Sequence, residues 1–400
     1  MDKEKRLGML FSSLADELNI SETLYERAVT SYTALGDYIK KNNSSWDVEM
    51  FPQGSFELGT VIKPINDEDQ YDVDLVILVR VPKFEDSHKL RETIQSFLES
   101  HGRYEGKIEE KKQCLRVVYS ENSQFHMDVV CATETNYNSD MIINVAKKNE
   151  ENDGYNFSPS NPKGYISWFK GAMNYERLLQ EAKMQRGKVF NSTKVEELTL
   201  SKMRTPLQQA IQILKRHRDI YFEKDLDNRP SSIIITTLCA LTYDNAKIYN
   251  SDSNNVYTTI RDMLDKFYLF LGTDSKGEYK LSNPSYEPEN FLYKWNTNEK
   301  LKDNFSKWIM QARKDIIENP LEFIDTEPAK LNEMMRNSFG PKSATSGLKK
   351  YGVALGLLNS KGALNVDKQT MSTTLFENST TIKPKPNTFY GENDAKGKKI

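Results

Sequence analysis

Three acidic residues stand where fold stability has no use for them. Asp72 and Asp74 lie in YDVDLVILV, and Asp128 lies in FHMDVVCA. Both stretches read as strands rich in β-branched residues. Carboxylates two residues apart in a strand point the same way, about 6–7 Å apart. Held that close on a partly covered sheet, like charges are costly unless something positive stands between them. Three such groups on adjacent strands offer the oxygen donors that Mg²⁺ takes while leaving room for substrate phosphates. Two ions about 4 Å apart then polarise an attacking hydroxyl and stabilise a leaving pyrophosphate. Upstream, QGSFELGT supplies Gly54 and Ser55. Glycine lets the backbone approach a phosphate, and a serine opening a helix adds a hydroxyl to the exposed N–H groups there. Either feature alone reads as solvated edge acids or a plain capped turn. Their order along the chain, turn first and acids on the following strands, is the stronger signal. His126 shares the Asp128 face, but a carboxylate-lined Mg²⁺ site does not need it, so it is assigned a supporting or structural place.

The elements around these residues follow from periodicity. In YDVDLVILV, Tyr71, Val73, Leu75, Ile77 and Val79 share the core face, with Asp72 and Asp74 on the other. WDVEMF is a preceding strand, HKLRETIQSFLESH a helix, and LRVVYS with FHMDVVCA a hairpin turning through residues 121–124. Residues 1–45 read as a long N-terminal helix, with Leu24, Ala28, Val29, Tyr32, Leu35 and Ile39 at helical spacing and Ser21 able to cap it. Beyond about residue 160 the chain is mostly helical. Thr205-Pro206 marks a helix start, while PSSIIITTLCALTYD fits either a strand or a buried helix. The expected fold is α+β: a mixed sheet with helices over 46–150, a helical lobe over 151–365 that completes a pocket, and a Ser-, Lys- and Pro-rich flexible tail over 366–400.

Composition narrows the class. The chain has 400 residues, 38% hydrophobic and 28% charged, with no apolar run long enough for a membrane span and no secretory h-region. Cys114, Cys131 and Cys239 form no C-x-x-C pair, and there are four histidines, so a reducing cytoplasm is expected and a zinc site is not. A net charge of −2 argues against an obligate nucleic-acid binder.

QGSFELGT, YDVDLV and HMDVVC together resemble the polymerase-β-type nucleotidyltransferases. With LKRHRDIYF, PSSIIITTL and NPSYEPENFLYKW, the chain is similar over residues 10–340 to the bacterial cGAS/DncV-like enzymes (CD-NTases) that make cyclic oligonucleotide signals. The resemblance implies a polymerase-β-like palm with Asp72, Asp74 and Asp128 as metal-binding and catalytic acids. It implies two Mg²⁺ ions, replaceable by Mn²⁺, and Gln53, Gly54 and Ser55 as a phosphate loop. It also implies Lys215 and either Ser231 or Ser232 on the triphosphate. Arg216 and Arg218 crowd Lys215, and a solvated helix face is the plain alternative there. The implied reaction is attack of a ribose hydroxyl on an α-phosphate, with Asp128 as the general base, giving a cyclic di- or trinucleotide. The implied setting is anti-phage (CBASS) signalling, in which the product reaches a separate effector and a regulatory protein acts at the tail. The ending AKGKKI, in place of a small residue, speaks against conjugation of that tail. Two competing readings are nucleotide transfer to RNA or protein, and a non-catalytic ligand sensor on the same fold. Degenerate sensors usually lose an acid or the Gly-Ser turn, and this chain keeps both.

Overall fold

A computed structural model describes residues 2–42, 45–66, 70–102, 104–119, 125–135, 141–149, 154–173, 204–243, 255–360, 365–367, 373–374 and 381–382. The N-terminal stretch is two helices rather than one: α1 (Lys3–Leu18) and α2 (Glu22–Asn42). The chain turns extended at Asn19, and the Ser21 hydroxyl caps α2 by accepting from the Leu24 amide at 3.2 Å. The two helices serve different cores. Leu7, Leu10, Phe11, Leu14 and Leu18 of α1 are fully buried among the C-terminal helices, whereas Ala28, Leu35 and Ile39 of α2 pack on the sheet. Each fully buried large apolar side chain contributes about 1.5–3 kcal/mol, so α1 is an integral part of the helical lobe.

The sheet holds seven strands: β1 (Asp47–Pro52), β2 (Tyr71–Val81), β3 (Ile108–Glu110), β4 (Leu115–Val118), β5 (Phe125–Glu134), β6 (Ile143–Lys148) and β7 (Tyr155–Ser160). Its order is β1-β2-β5-β4-β3, with β6 paired to β5 and β7 to β6. β2 and β5 run parallel, while the other neighbours are antiparallel. The sheet takes in β7, past the residue-150 limit expected from the sequence, because Tyr155–Ser160 continues the ladder on β6. The four-residue helix α3 (Gly54–Glu57) follows β1, and α4 (Ser87–Glu99) helps return the chain to β5. Tyr71, Val73, Leu75, Ile77 and Val79 line one core, as the alternation requires. On the opposite face the acids give way to Val76 and Leu78, which pack with Ala132, Ile143 and Val145. Asp72 and Asp74 therefore stand at the polar end of an otherwise covered surface. The β4–β5 hairpin forms as expected, and its turn at 120–124 lies outside the described residues.

The second half is a helical assembly: α5 (Pro162–Ala172), α6 (Pro206–Tyr221), α7 (Ser232–Thr242), α8 (Val256–Lys266), α9 (Glu299–Arg313), α10 (Asn319–Thr326), α11 (Pro328–Phe339) and α12 (Pro341–Ser360). Thr205 and Gln208 make a reciprocal capping box at the start of α6, with Pro206 in the first turn. The ambiguous β-branched run is α7, which buries Ile234, Ile235, Leu238 and Cys239. Tertiary burial overrides β-propensity there. In the tail, Asn365–Asp367, Thr373–Thr374 and Thr381–Ile382 pair as short antiparallel strands, and the rest of 361–400 lies outside the described residues.

Candidate active site

Strand register assembles the acids. Across the parallel pair, Asp74 lies beside Asp128 and Asp72 beside His126. β4 then sets Arg116 directly opposite Asp128. The Arg116 Nε and Nη2 donate to the two Asp128 carboxylate oxygens, both at 2.8 Å, and Nη2 also reaches Asp72 Oδ1 at 3.2 Å. His126 Nε2 contacts the same Asp72 oxygen, while its Nδ1 lies 3.3 Å from Gln70 Oε1. Asp128 is buried and Asp72 is exposed over half its side chain. The two acids of β2 diverge in consequence. Burial raises the Asp72 pKa, but the His126 hydrogen bond and the charges of His126 and Arg116 outweigh this and hold it below the ordinary value. Asp74 has no such hydrogen bond to lower it. Burial, then the charges of Asp72 and Asp128, push it up to about 7.

The Gly-Ser turn is built onto this row of acids. The Gln53 amide donates to the Asp74 carbonyl at 2.9 Å, fixing the end of β1 beside β2. Gly54 has φ +61°, and a Cβ there would fall onto the Asp74 carboxylate, so glycine is required on both counts. Ser55 opens α3 beside it, and its carbonyl accepts from the Thr60 amide at 2.9 Å.

One face of α6 grips the segment that follows. Gln208 Nε2 donates to the Leu58 carbonyl at 2.9 Å, Gln212 Nε2 to Val61 at 2.8 Å, and Lys215 Nζ to Thr60 at 3.0 Å. Arg216 Nη2 reaches the Lys63 carbonyl. These donors recur at helical spacing, so a single helix face satisfies four consecutive-region carbonyls. Lys215, Arg216 and Arg218 are all buried, which excludes the solvated-face alternative for Lys215. Burial and the Arg218 charge lower the Lys215 pKa to about 8, against the opposing pull of Asp219, Asp74 and Asp72. Arg218 donates to Ser232 Oγ and to the Pro230 carbonyl, each at 3.0 Å, while Ser231 is exposed at the head of α7. Lys215 thus feels the charges of Asp72 and Asp74 while bonded to Thr60, whereas Ser232 is held by Arg218.

The comparisons with known proteins bear on this arrangement. Residues 48–131 match the model of the nucleotidyltransferase domain described as cyclic GMP-AMP synthase DncV-like. That span contains Gly54, Ser55, Asp72, Asp74, Arg116 and Asp128. A c-di-GMP synthase of Roseivirga ehrenbergii is 28% identical over 306 residues, covering 74% of this chain and 75% of that protein. Residues 48–131 thus carry a DncV-like nucleotidyltransferase domain.

The nucleotidyltransferase fold extends through both lobes. The cyclic dinucleotide synthase CdnG of Bradyrhizobium diazoefficiens is 22% identical over 375 residues, 88% of this chain and 84% of CdnG. Its structure in complex with GTP superposes with a TM-score of 0.65 at 18% identity, covering 86% of this chain and 99% of that one. Vibrio cholerae DncV, solved with the linear intermediate 5′ pppA(3′,5′)pG, superposes with a TM-score of 0.51 at 15% identity, over 86% of this chain and 89% of that one.

The acids of this nucleotidyltransferase suit a divalent cation. Ligand atoms of Asp72, His126 and Asp128 lie within 4.8 Å of one another. Burial and the charges of Asp72 and Asp128 disfavour a bare Asp74 carboxylate, which a bound cation would stabilise. Hard carboxylate oxygens of this kind match Mg²⁺ or Mn²⁺, and a histidine nitrogen favours the latter. Sequence reasoning called for a positive partner without finding Arg116. The signal was present in LRVV, where buried Leu115 and Val117 leave Arg116 on the acid-bearing face.

Proposed function

We propose that this enzyme joins nucleoside triphosphates, without a template, into a cyclic dinucleotide or trinucleotide and releases pyrophosphate. The observation that carries this reading is the row Asp72, Asp74 and Asp128 on a parallel strand pair, with Gly54 packed against Asp74 and Lys215 within electrostatic reach of Asp72 and Asp74. In the reaction, a ribose hydroxyl oxygen of one nucleotide bonds to the α-phosphorus of another as the bond to pyrophosphate breaks. A second round in the same pocket closes the ring. Asp72, Asp74 and Asp128 would hold divalent cations, which would supply charge neutralisation at the phosphates and acidity at the attacking hydroxyl. Asp128 takes the hydroxyl proton. Gly54 and Ser55 receive the triphosphate through backbone amides and the Ser55 hydroxyl, and Gln53, whose amide is held by the Asp74 carbonyl, through its side chain. Lys215 has one hydrogen committed to the Thr60 carbonyl, which leaves two for phosphate oxygens. Ser232, or Ser231 beside it, completes the phosphate contacts from α7. Most of the rate enhancement on this reading comes from positioning and charge.

The similarity to DncV-like nucleotidyltransferases supports a role in bacterial anti-phage (CBASS) signalling from the cytoplasm, with the cyclic product activating a separate effector. The test is incubation with labelled ATP, GTP, CTP and UTP plus Mg²⁺ or Mn²⁺, followed by phosphatase treatment and mass spectrometry. A phosphatase-resistant small product, absent with Asp72→Ala/Asp74→Ala, is the expected result. Label appearing only in added RNA or protein would overturn the reading in favour of a different acceptor.

A further inference from the structure

We propose that Arg116 is the site's own counter-cation, holding Asp72 and Asp128 together in the metal-free enzyme and giving way when a divalent ion binds. The inference rests on reading these acids as a cation site.

Several observations converge on this role. Strand register puts Arg116 opposite Asp128, so the contact is built by the sheet and does not depend on a wandering surface side chain. The guanidinium engages both oxygens of Asp128 and one of Asp72, a forked geometry that one ammonium could not reproduce. It thereby lies across the mouth between the two carboxylates that any shared ion must also use. Its own side chain is 27% exposed and Asp72 is 54% exposed, so open space lies alongside into which the arginine can withdraw. Asp74, register-paired with Asp128, accepts no hydrogen bond from this arginine and feels only its charge.

The chemistry is an exchange. One delocalised positive charge, spread over a planar fork, is replaced by a compact divalent one on the same oxygens. Arg116 is therefore a positioning residue: it keeps two repelling carboxylates in register when no ion is present, and it lowers the affinity of the empty site for free metal. Metal loading is then favoured when a triphosphate arrives carrying its own ion.

The test measures Mn²⁺ binding to nucleotide-free protein by titration calorimetry and by the electron paramagnetic resonance signal of free Mn²⁺. Arg116→Met keeps the length and removes the charge, and Arg116→Lys keeps the charge but not the fork. Arg116→Met should bind Mn²⁺ about tenfold or more tightly than the wild type, with Arg116→Lys between them. In EDTA, Arg116→Met should melt below the wild type, and saturating Mn²⁺ should raise its Tm by more than it raises that of the wild type. Equal or weaker Mn²⁺ affinity in Arg116→Met overturns the proposal. If that variant does not fold, equal or weaker affinity in Arg116→Lys does the same. Asp72→Asn/Asp74→Asn separates the two ideas: loss of Mn²⁺ binding there upholds the cation site itself, whatever the Arg116 variants do.

Discussion

Replacing Asp74 with asparagine should stabilise the metal-free enzyme increasingly as pH rises. Folding places this carboxyl in a partly buried position beside Asp72 and Asp128, and its pKa moves from 3.8 to about 7. The folded state therefore holds the proton more tightly than the unfolded chain. Stability from this group is complete below the unfolded value and is lost as pH rises through the folded one. Between pH about 5 and about 8.5, the wild type should lose about 3 kcal/mol through Asp74, and the asparagine variant should not. Unfolding entropy scales with length, so a chain of 400 residues shifts by about 1 °C per kcal/mol. The assay is thermal unfolding of both proteins in EDTA at the two pH values, with denaturant titration as a check. The Tm difference should move about 3 °C in favour of Asp74→Asn on going to the higher pH. Mg²⁺ should then raise the Tm of the wild type and narrow the gap. A Tm difference that does not change with pH would refute the argument, because the carboxyl would then ionise equally well in both states.

Gly54→Ala forces a Cβ onto the Asp74 carboxylate in a left-handed conformation. It should cost about 1–3 kcal/mol in unfolding experiments and reduce product formation at least tenfold, since the turn and the acid must part. Lys215→Met should weaken triphosphate binding by about 1.5–3 kcal/mol, measured by calorimetry with a non-hydrolysable analogue, and unchanged affinity would remove it from the site. The buried set in which Trp308 Nε1 donates to His217 Nδ1 at 3.0 Å and His217 Nε2 meets Asp315 at 3.1 Å should behave as framework. Asp315→Ala should lower stability by about 1–3 kcal/mol with kcat little changed at a temperature where the variant stays folded, and selective loss of kcat would contradict that.

Some features were legible in the sequence for a definite physical reason. The period of two in YDVDLVILV separates core from acid face with no knowledge of the fold, and all five core-face residues are buried. Thr205-Pro206 reads as a helix start and is one, with the Thr205 hydroxyl accepting from the Gln208 amide at 3.2 Å. Other features depend on relations that a single strand or helix does not encode. Arg116 matters because antiparallel register sets it against Asp128, and that register is a property of two segments. The break at Asn19 is hidden because the apolar spacing resumes after it, now aimed at a different core. The run IIITTLCAL has the composition of a strand, and only burial on several sides makes it a helix.

The grip of α6 on residues 58–63 decides where the cleft is able to open. Those carbonyls find their donors in Gln208, Gln212, Lys215 and Arg216, on the far side of the lobe boundary. Parting the lobes along that line would strand four acceptors and two buried cations at once, at a cost of several kcal/mol. That edge therefore behaves as the spine of a book. Asp72, exposed over half its side chain, is not among the residues held along that edge.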